Sequence, residues 1–190
     1  ITKAALTISG SQVYNAGTAV AGANLTATGV AGQTFAMTGL GNATNLAGAN
    51  VQSNSVLSTV TGLTLGTSAN GGVAGNYNAI STTGSSVSIT KAPLTITGTD
   101  NSAVYSGSAQ TNTGASVTGQ VGAQTITVSG GYAQATNVAD GKVSDAAYTL
   151  SYGNGALAGN YNVTTTNYGS LTITKAALTI SGSQVYNAGT

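Results

Sequence analysis

Ser86-Val87-Ser88-Ile89-Thr90-Lys91-Ala92-Pro93-Leu94-Thr95-Ile96 holds two short β-branched runs with one lysine between them and no Gly-Ser linker. Apolar and polar side chains alternate on both sides of Lys91, the period of an extended strand with one buried face. Pro93 lacks a backbone donor and belongs at a strand break or on an edge. The stretch therefore predicts two strands almost end to end, the last of one module and the first of the next. A connection this short leaves little rotational freedom, so the joined modules are expected to form a stiff, elongated rod.

The same letters recur on either side. Ile89-Thr90-Lys91-Ala92 is matched by Ile1-Thr2-Lys3-Ala4, 88 positions earlier, and by Ile173-Thr174-Lys175-Ala176, 84 positions later. Each copy leads to a Val-Tyr pair, at Val13-Tyr14, Val104-Tyr105 and Val185-Tyr186. The interiors align as well. Gly29-Val30-Ala31-Gly32-Gln33-Thr34 answers Gly119-Gln120-Val121-Gly122-Ala123-Gln124-Thr125 with one insertion. Ala74-Gly75-Asn76-Tyr77-Asn78 answers Ala158-Gly159-Asn160-Tyr161-Asn162. Two homologous modules follow, residues 1–88 and 89–172, with 173–190 opening another repeat. Residues 173–190 equal residues 1–18 at all 18 positions, whereas the middle copy differs from both. The expected period is thus a two-module unit of 172 residues, and the chain reads as one period plus an overlap from a longer array.

A repeat of roughly 85 residues exceeds the ~20–45 of solenoids and is large enough for its own small core. Strand-like runs in the first module lie at 5–9, 24–28, 34–38, 51–60, 63–65, 77–81 and 87–90, separated by Gly, Asn and Ser. No helical period is present. The expected fold is all-β, as tandem Ig-like β-sandwich modules, with β-grasp-like modules as the alternative strand order.

Composition excludes several function classes. Charged residues make up 4% of the chain, against roughly 25% in ordinary soluble proteins. They are Lys3, Lys91, Lys142, Lys175, Asp100, Asp140 and Asp145, for a net charge of +1. That offers no electrostatic footprint for nucleic acid, and no apolar run approaches the ~18 residues of a membrane span. Near-neutrality favours self-association, by lateral contacts or with neighbouring repeats. Cysteine is absent, so disulfides and thiolate metal sites are excluded.

The ordered set Val13-Tyr14-Asn15-Ala16-Gly17-Thr18, Gly29-Val30-Ala31-Gly32-Gln33-Thr34, Ala74-Gly75-Asn76-Tyr77 and Ile89-Thr90-Lys91-Ala92-Pro93-Leu94-Thr95-Ile96 resembles the YDG/MBG-type repeats of large bacterial surface adhesins, filamentous-haemagglutinin-like proteins among them. The resemblance covers both modules. It implies an extracellular or cell-surface array serving as stalk, spacer or adhesive. An Asp usually follows the tyrosine in that family; here Asn15 and Ser106 stand in its place. Either can cap a turn through its side chain.

Candidate chemistry is sparse. No histidine exists to pair with a serine nucleophile, and the first module has no acid at all. No cofactor is expected. Asp140-Gly141-Lys142-Val143-Ser144-Asp145 reads as a turn flanked by a local ion pair. As a calcium loop it would lack oxygen ligands. Lys3, Lys91 and Lys175 share one motif position and are expected to lay their stems along apolar surface at module junctions. An isopeptide role for them would need a buried acid that the first module lacks. Tyr77 and Tyr161, and at the module starts Tyr14 and Tyr105, are expected to plug module ends, with hydroxyls bonded to backbone, and Tyr186 holds the same motif position in the next repeat. The loop tyrosines Tyr132, Tyr152 and Tyr168 are the candidate contacts for a glycan or a host surface.

Overall fold

The structure, a computed structural model, describes residues 1–186. The last four residues of the expected 173–190 repeat start lie outside the described residues. The chain is all-β. Among the described residues the strands are β1 (Thr7–Val13), β2 (Leu25–Thr28), β3 (Thr34–Thr38), β4 (Gln52–Ser55), β5 (Thr64–Ser68), β6 (Ser86–Thr90), β7 (Ala92–Gly98) and β8 (Asp100–Val104). They continue with β9 (Gln110–Thr111), β10 (Ala115–Thr118), β11 (Thr125–Gly130), β12 (Gln134–Ala135), β13 (Lys142–Ser144), β14 (Thr149–Gly153), β15 (Tyr161–Asn167) and β16 (Ser170–Thr174). Among the described residues helical structure is confined to three-residue 3-10 turns, two of which, Ala74–Asn76 and Ala158–Asn160, precede the matched tyrosines Tyr77 and Tyr161.

The chain divides into two compact units. The first comprises Ile1–Thr95, Val117–Thr127 and Ser151–Thr165. The second comprises Ile96–Ser116, Val128–Leu150 and the described residues from Thr166 on. The first unit therefore contains residues of both sequence repeats.

A six-stranded sheet ordered β4-β6-β1-β2-β3-β5 organises residues 1–90. Alternation along its strands points Ile8, Ala27, Phe35, Met37, Val87 and Ile89 to one interior, where each is at most 2% exposed. Burying each large aliphatic or aromatic side chain contributes roughly 1.5–3 kcal/mol. Strands β1 and β2 pair antiparallel with Gly10 opposite Leu25. A Cβ at Gly10 would lie 2.1 Å from the Asn24 carbonyl oxygen, so no larger residue fits there. Asn45 is fully buried and saturated. Its Oδ1 accepts from the amides of Val20 and Asn42, and its Nδ2 donates to the carbonyls of Thr59 and Thr61. It ties together loops that no strand ladder holds.

The first and last strands of this sheet region pair in parallel. Along β1 and β6, Ser9 lies opposite Ser86 and Val13 opposite Thr90, and the Tyr14 amide donates to the Thr90 carbonyl at 2.8 Å. In the second unit, β8 and β16 also run parallel, with Ser170 opposite Asp100 and Val104 opposite Thr174. There the Tyr105 amide donates to the Thr174 carbonyl, again at 2.8 Å. Ser86 matches Ser170 and Val13 matches Val104 in the sequence alignment, so the two pairings share one register. Ala133, Ala135, Leu171 and Ile173 form the core of the second unit.

Two expected strands differ. Of 51–60 only β4 forms, and Asn54 within it, at φ 52°, accompanies a shift of register against β6 between Gln52 and Ser55. Of 77–81 only the Ala4–Tyr77 bridge is paired. Between β6 and β7 there is one residue, Lys91, as the junction sequence predicts.

Candidate functional site

The loops of the second unit gather three tyrosines. Tyr132 follows β11 through Gly131, whose φ of 96° and close approach to the Ala147 carbonyl demand glycine. Tyr148 precedes β14, and Tyr168 joins β15 to β16. The Tyr132 and Tyr148 rings meet edge to face at 6.0 Å, and Tyr148 and Tyr168 stack at a tilt at 5.3 Å. Tyr132 and Tyr148 are half-buried, and Tyr168 is 51% exposed. Two of the three tyrosines proposed as ligand contacts are thus brought together. Tyr152 is half-buried and belongs to the first unit.

Asp145 fixes this cluster from below. Its side chain is 6% exposed and accepts from both the Asn112 Nδ2 (2.9 and 3.0 Å) and the Ala133 amide (2.8 Å). The Tyr148 hydroxyl donates to its Oδ2 at 2.5 Å. Burial alone raises the Asp145 pKa, but these donors outweigh it and hold the carboxyl below its ordinary value. Burial and the hydrogen bond to Asp145 push the Tyr148 phenol up. At neutral pH the pair is therefore carboxylate and neutral phenol. A carboxylate already engaged by this many donors is a poor proton acceptor, and the phenol serves as a brace. The arrangement makes a braced aromatic platform with one open face, suited to stacking on an apolar ring surface.

The remaining acids have structural roles. Asp140 accepts from the amides of Thr136 and Asn137, which lowers its pKa and caps the turn Val138–Asp140. Lys142 pairs with Asp100 at 2.9 Å rather than with its sequence neighbours, and both side chains are exposed. Among the described residues no group of three or more His, Cys, Asp or Glu could hold a metal ion.

Three of the motif tyrosines, Tyr14, Tyr77 and Tyr161, lie inside the first unit. The Tyr77 hydroxyl donates to Gln33 Oε1 at 2.6 Å, and the Tyr161 hydroxyl donates to Gln124 Oε1. Their hydroxyls thus go to a matched glutamine, and Tyr161 also accepts from the Val121 amide. Gln124 Nε2 donates to the Tyr14 hydroxyl at 2.7 Å, and the Tyr14 and Tyr161 rings meet edge to face at 5.6 Å. Asn160, 2% exposed, donates to Asn50 at 2.9 Å and accepts from the Val51 amide at 2.9 Å. These contacts join residues of the 1–88 stretch to residues of the 89–172 stretch. Tyr14, Tyr77 and Tyr161 are buried, whereas Tyr105 is 43% and Tyr186 89% exposed. Lys3, Lys91 and Lys175 are all exposed. Asn15 caps its turn by accepting from the Gly17 amide at 2.9 Å, while the Ser106 hydroxyl donates to the Ser108 carbonyl.

Sequence reasoning missed Tyr148, Asn112 and the role of Asp145. The Asp145-Ala-Ala-Tyr148 spacing was the available signal. Gln33 and Gln124 stood in the matched motifs without an assigned role. Comparison with family models, with curated proteins and with solved structures gives no match.

Proposed function

We propose that the chain is a structural and adhesive repeat unit of an extracellular bacterial surface filament or giant adhesin stalk, built from Ig-like modules at 1–88 and 89–172. The observation that carries this reading is the junction. One residue separates β6 from β7. Across the same boundary, Gln124 is hydrogen-bonded to Tyr14 and Asn160 to Asn50 and Val51, and the Tyr161 ring packs edge to face on Tyr14. A boundary fixed by both chain continuity and side-chain packing resists bending and transmits tension. The shared register of the two parallel strand pairs supports repetition of one module design. Helical structure limited to 3-10 turns among the described residues favours the sandwich over a β-grasp, which packs an α-helix on its sheet. Electron microscopy of several copies of residues 1–172 joined in tandem tests the reading. Straight fibres with a constant rise per copy are expected; freely jointed beads would refute it.

The tyrosine platform favours a second reading, in which loops of the same module bind a glycan. Tyr168 supplies the open ring, and Asp145 and Tyr148 fix its support.

A further inference from the structure

The junction inside the first unit has unfilled counterparts elsewhere in the chain. On its receiving side, Asn160 is 2% exposed and Gln124 donates to a phenol. The matched residues of the earlier repeat are Gln33, Asn76 and Tyr77. Asn76 is exposed, Val30 beside it is 57% exposed, and Gln33 Nε2 makes no hydrogen bond among the described residues. Val30 and Asn76 line an open cleft of about 590 Å³ together with Ile1, Thr2, Lys3 and Ala4. On the inserting side, Tyr14 is 4% exposed, whereas its match Tyr105 is 43% exposed. Tyr105 and Val138 line a groove of about 350 Å³.

We propose that this chain binds a second copy of itself through these two faces, Tyr105 of one copy seating in the cleft beside Gln33 and Tyr77 of the next. The proposal rests on reading 1–88 and 89–172 as repeats. In the assembled pair, Gln33 Nε2 donates to the Tyr105 hydroxyl as Gln124 does to Tyr14. The Tyr77 ring meets Tyr105 edge to face as Tyr161 meets Tyr14, and Asn76 takes up the backbone contact that Asn160 makes to Val51. Neither lining holds an acid and each carries one lysine, Lys3 in the cleft and Lys175 in the groove, so the fit depends on shape and hydrogen bonds rather than on ion pairs. Lys175, Ala176 and Leu178 line one wall of the Tyr105 groove and move aside on docking. They belong to a stretch, 175–186, that pairs with no strand. The contact is heterologous, one face on a different face, so it propagates into open chains or closes into rings and does not stop at a two-fold dimer.

Sedimentation velocity on the full chain from roughly 10 μM to 1 mM spans the affinities of a weak single contact. The weight-average sedimentation coefficient rises with concentration, and the rise persists in about 1 M NaCl, where charge attraction is screened. Tyr105→Ala and Val30→Asp alter exposed positions, so both keep the parent melting temperature. Each weakens association about tenfold or more, while Tyr168→Ala leaves it unchanged. A coefficient constant across the range, or association indifferent to Tyr105→Ala and Val30→Asp, overturns the proposal. Hydrogen exchange at the Val51 amide, which is bonded to Asn160, separates the two readings. A monomeric chain that still protects this amide ends the docking proposal and leaves the array standing. A monomer with no such protection removes both.

Discussion

Gln124 Nε2 donates to the hydroxyl of Tyr14, a residue 110 positions earlier, at 2.7 Å. The same amide group accepts from Tyr161 through its oxygen, so one side chain satisfies two phenols that are each 4% exposed. Gln124→Ala strands the Tyr14 hydroxyl and leaves Tyr161 with only the Val121 amide. A buried polar group without a partner costs about 1–3 kcal/mol. In a chain of this size that lowers Tm by about 2–12 °C. Calorimetry checks the fall, and exchange at the Val51 amide shows whether the junction loosens first. An unchanged Tm would mean that water replaces the glutamine without penalty.

Asp145 links stability to acid. Its folded pKa lies below the unfolded one, so its contribution is fully present above the usual Asp value of about 4 and disappears as pH falls through the depressed folded value. The unfolding free energy is expected to be level down to about pH 5 and to drop below pH 4. Asp100 and Asp140 are lowered too and add to the same slope. Asp145→Asn removes its share of that slope. It also faces an amide nitrogen toward the donors of Asn112 and Ala133, so the variant is less stable at pH 7. Urea unfolding at a series of pH values measures both effects, and an acid slope identical in parent and variant would contradict the assignment.

Tyr148→Phe separates the brace from the ring. It keeps the aromatic contacts with Tyr132 and Tyr168 and deletes one donor to Asp145. With one donor fewer, the Asp145 carboxyl is less depressed, and the acid limb of the stability curve moves toward higher pH. In the parent chain, Tyr148 adds the opposite limb. Its phenol pKa is raised, so its contribution is complete below about pH 10 and is lost as pH climbs through the folded value. Tyr148→Phe abolishes that alkaline loss. An acid limb unmoved by the substitution would show that the Tyr148 hydroxyl does not govern Asp145.

Much of the sheet was legible because its strands carry period-two alternation with little interference. The runs 24–28 and 34–38 coincide with β2 and β3 to within a residue, and Lys91 is the whole connection between β6 and β7. The failures have local causes. Asn54 adopts a positive φ inside β4, where the pairing with β6 shifts register. Tyr77 is held by its ring against Phe35, by its hydroxyl and by a single bridge to Ala4 rather than by a continuous ladder. The platform was half legible: Tyr132 and Tyr168 stood out as loop aromatics, but their meeting depends on Tyr148. Burial of Asp145 was unreadable, since a lone acid near Lys142 looks like a solvated surface charge. The Gln33–Tyr77 bond spans 44 positions, and only the folded chain reveals it.

Glycan binding distinguishes among the loop tyrosines. Tyr168 offers the open ring of the cluster and Tyr132 its edge contact, whereas Tyr152 is not part of it. A glycan array followed by calorimetry with the strongest binder reads the difference. Tyr168→Ala weakens binding about tenfold, the worth of one aromatic contact. Tyr132→Ala weakens it less, and Tyr152→Ala leaves it intact. Equal losses from Tyr152→Ala and Tyr168→Ala would exclude the platform as the binding surface, and no binding at all would leave only the mechanical role.

Asn45 tests how the strand-poor part of the first module is held. The residue is fully buried, and its amide bonds to four backbone groups, from Val20, Asn42, Thr59 and Thr61. Asn45→Asp keeps the size and the acceptors but removes the donors, so the Thr59 and Thr61 carbonyls face a carboxylate. Asn45→Ala strands all four groups and leaves a small void. Both variants are expected to lose about 3 kcal/mol or more. Asn45→Asp recovers part of its loss at low pH, where the protonated acid can donate to one carbonyl again. That recovery runs against the Asp145 slope, so it is read as the difference between variant and parent at each pH. Equal stability of Asn45→Ala and the parent would show that water enters and serves these backbone groups, and that the loops are held by Leu46 and Leu57 packing instead.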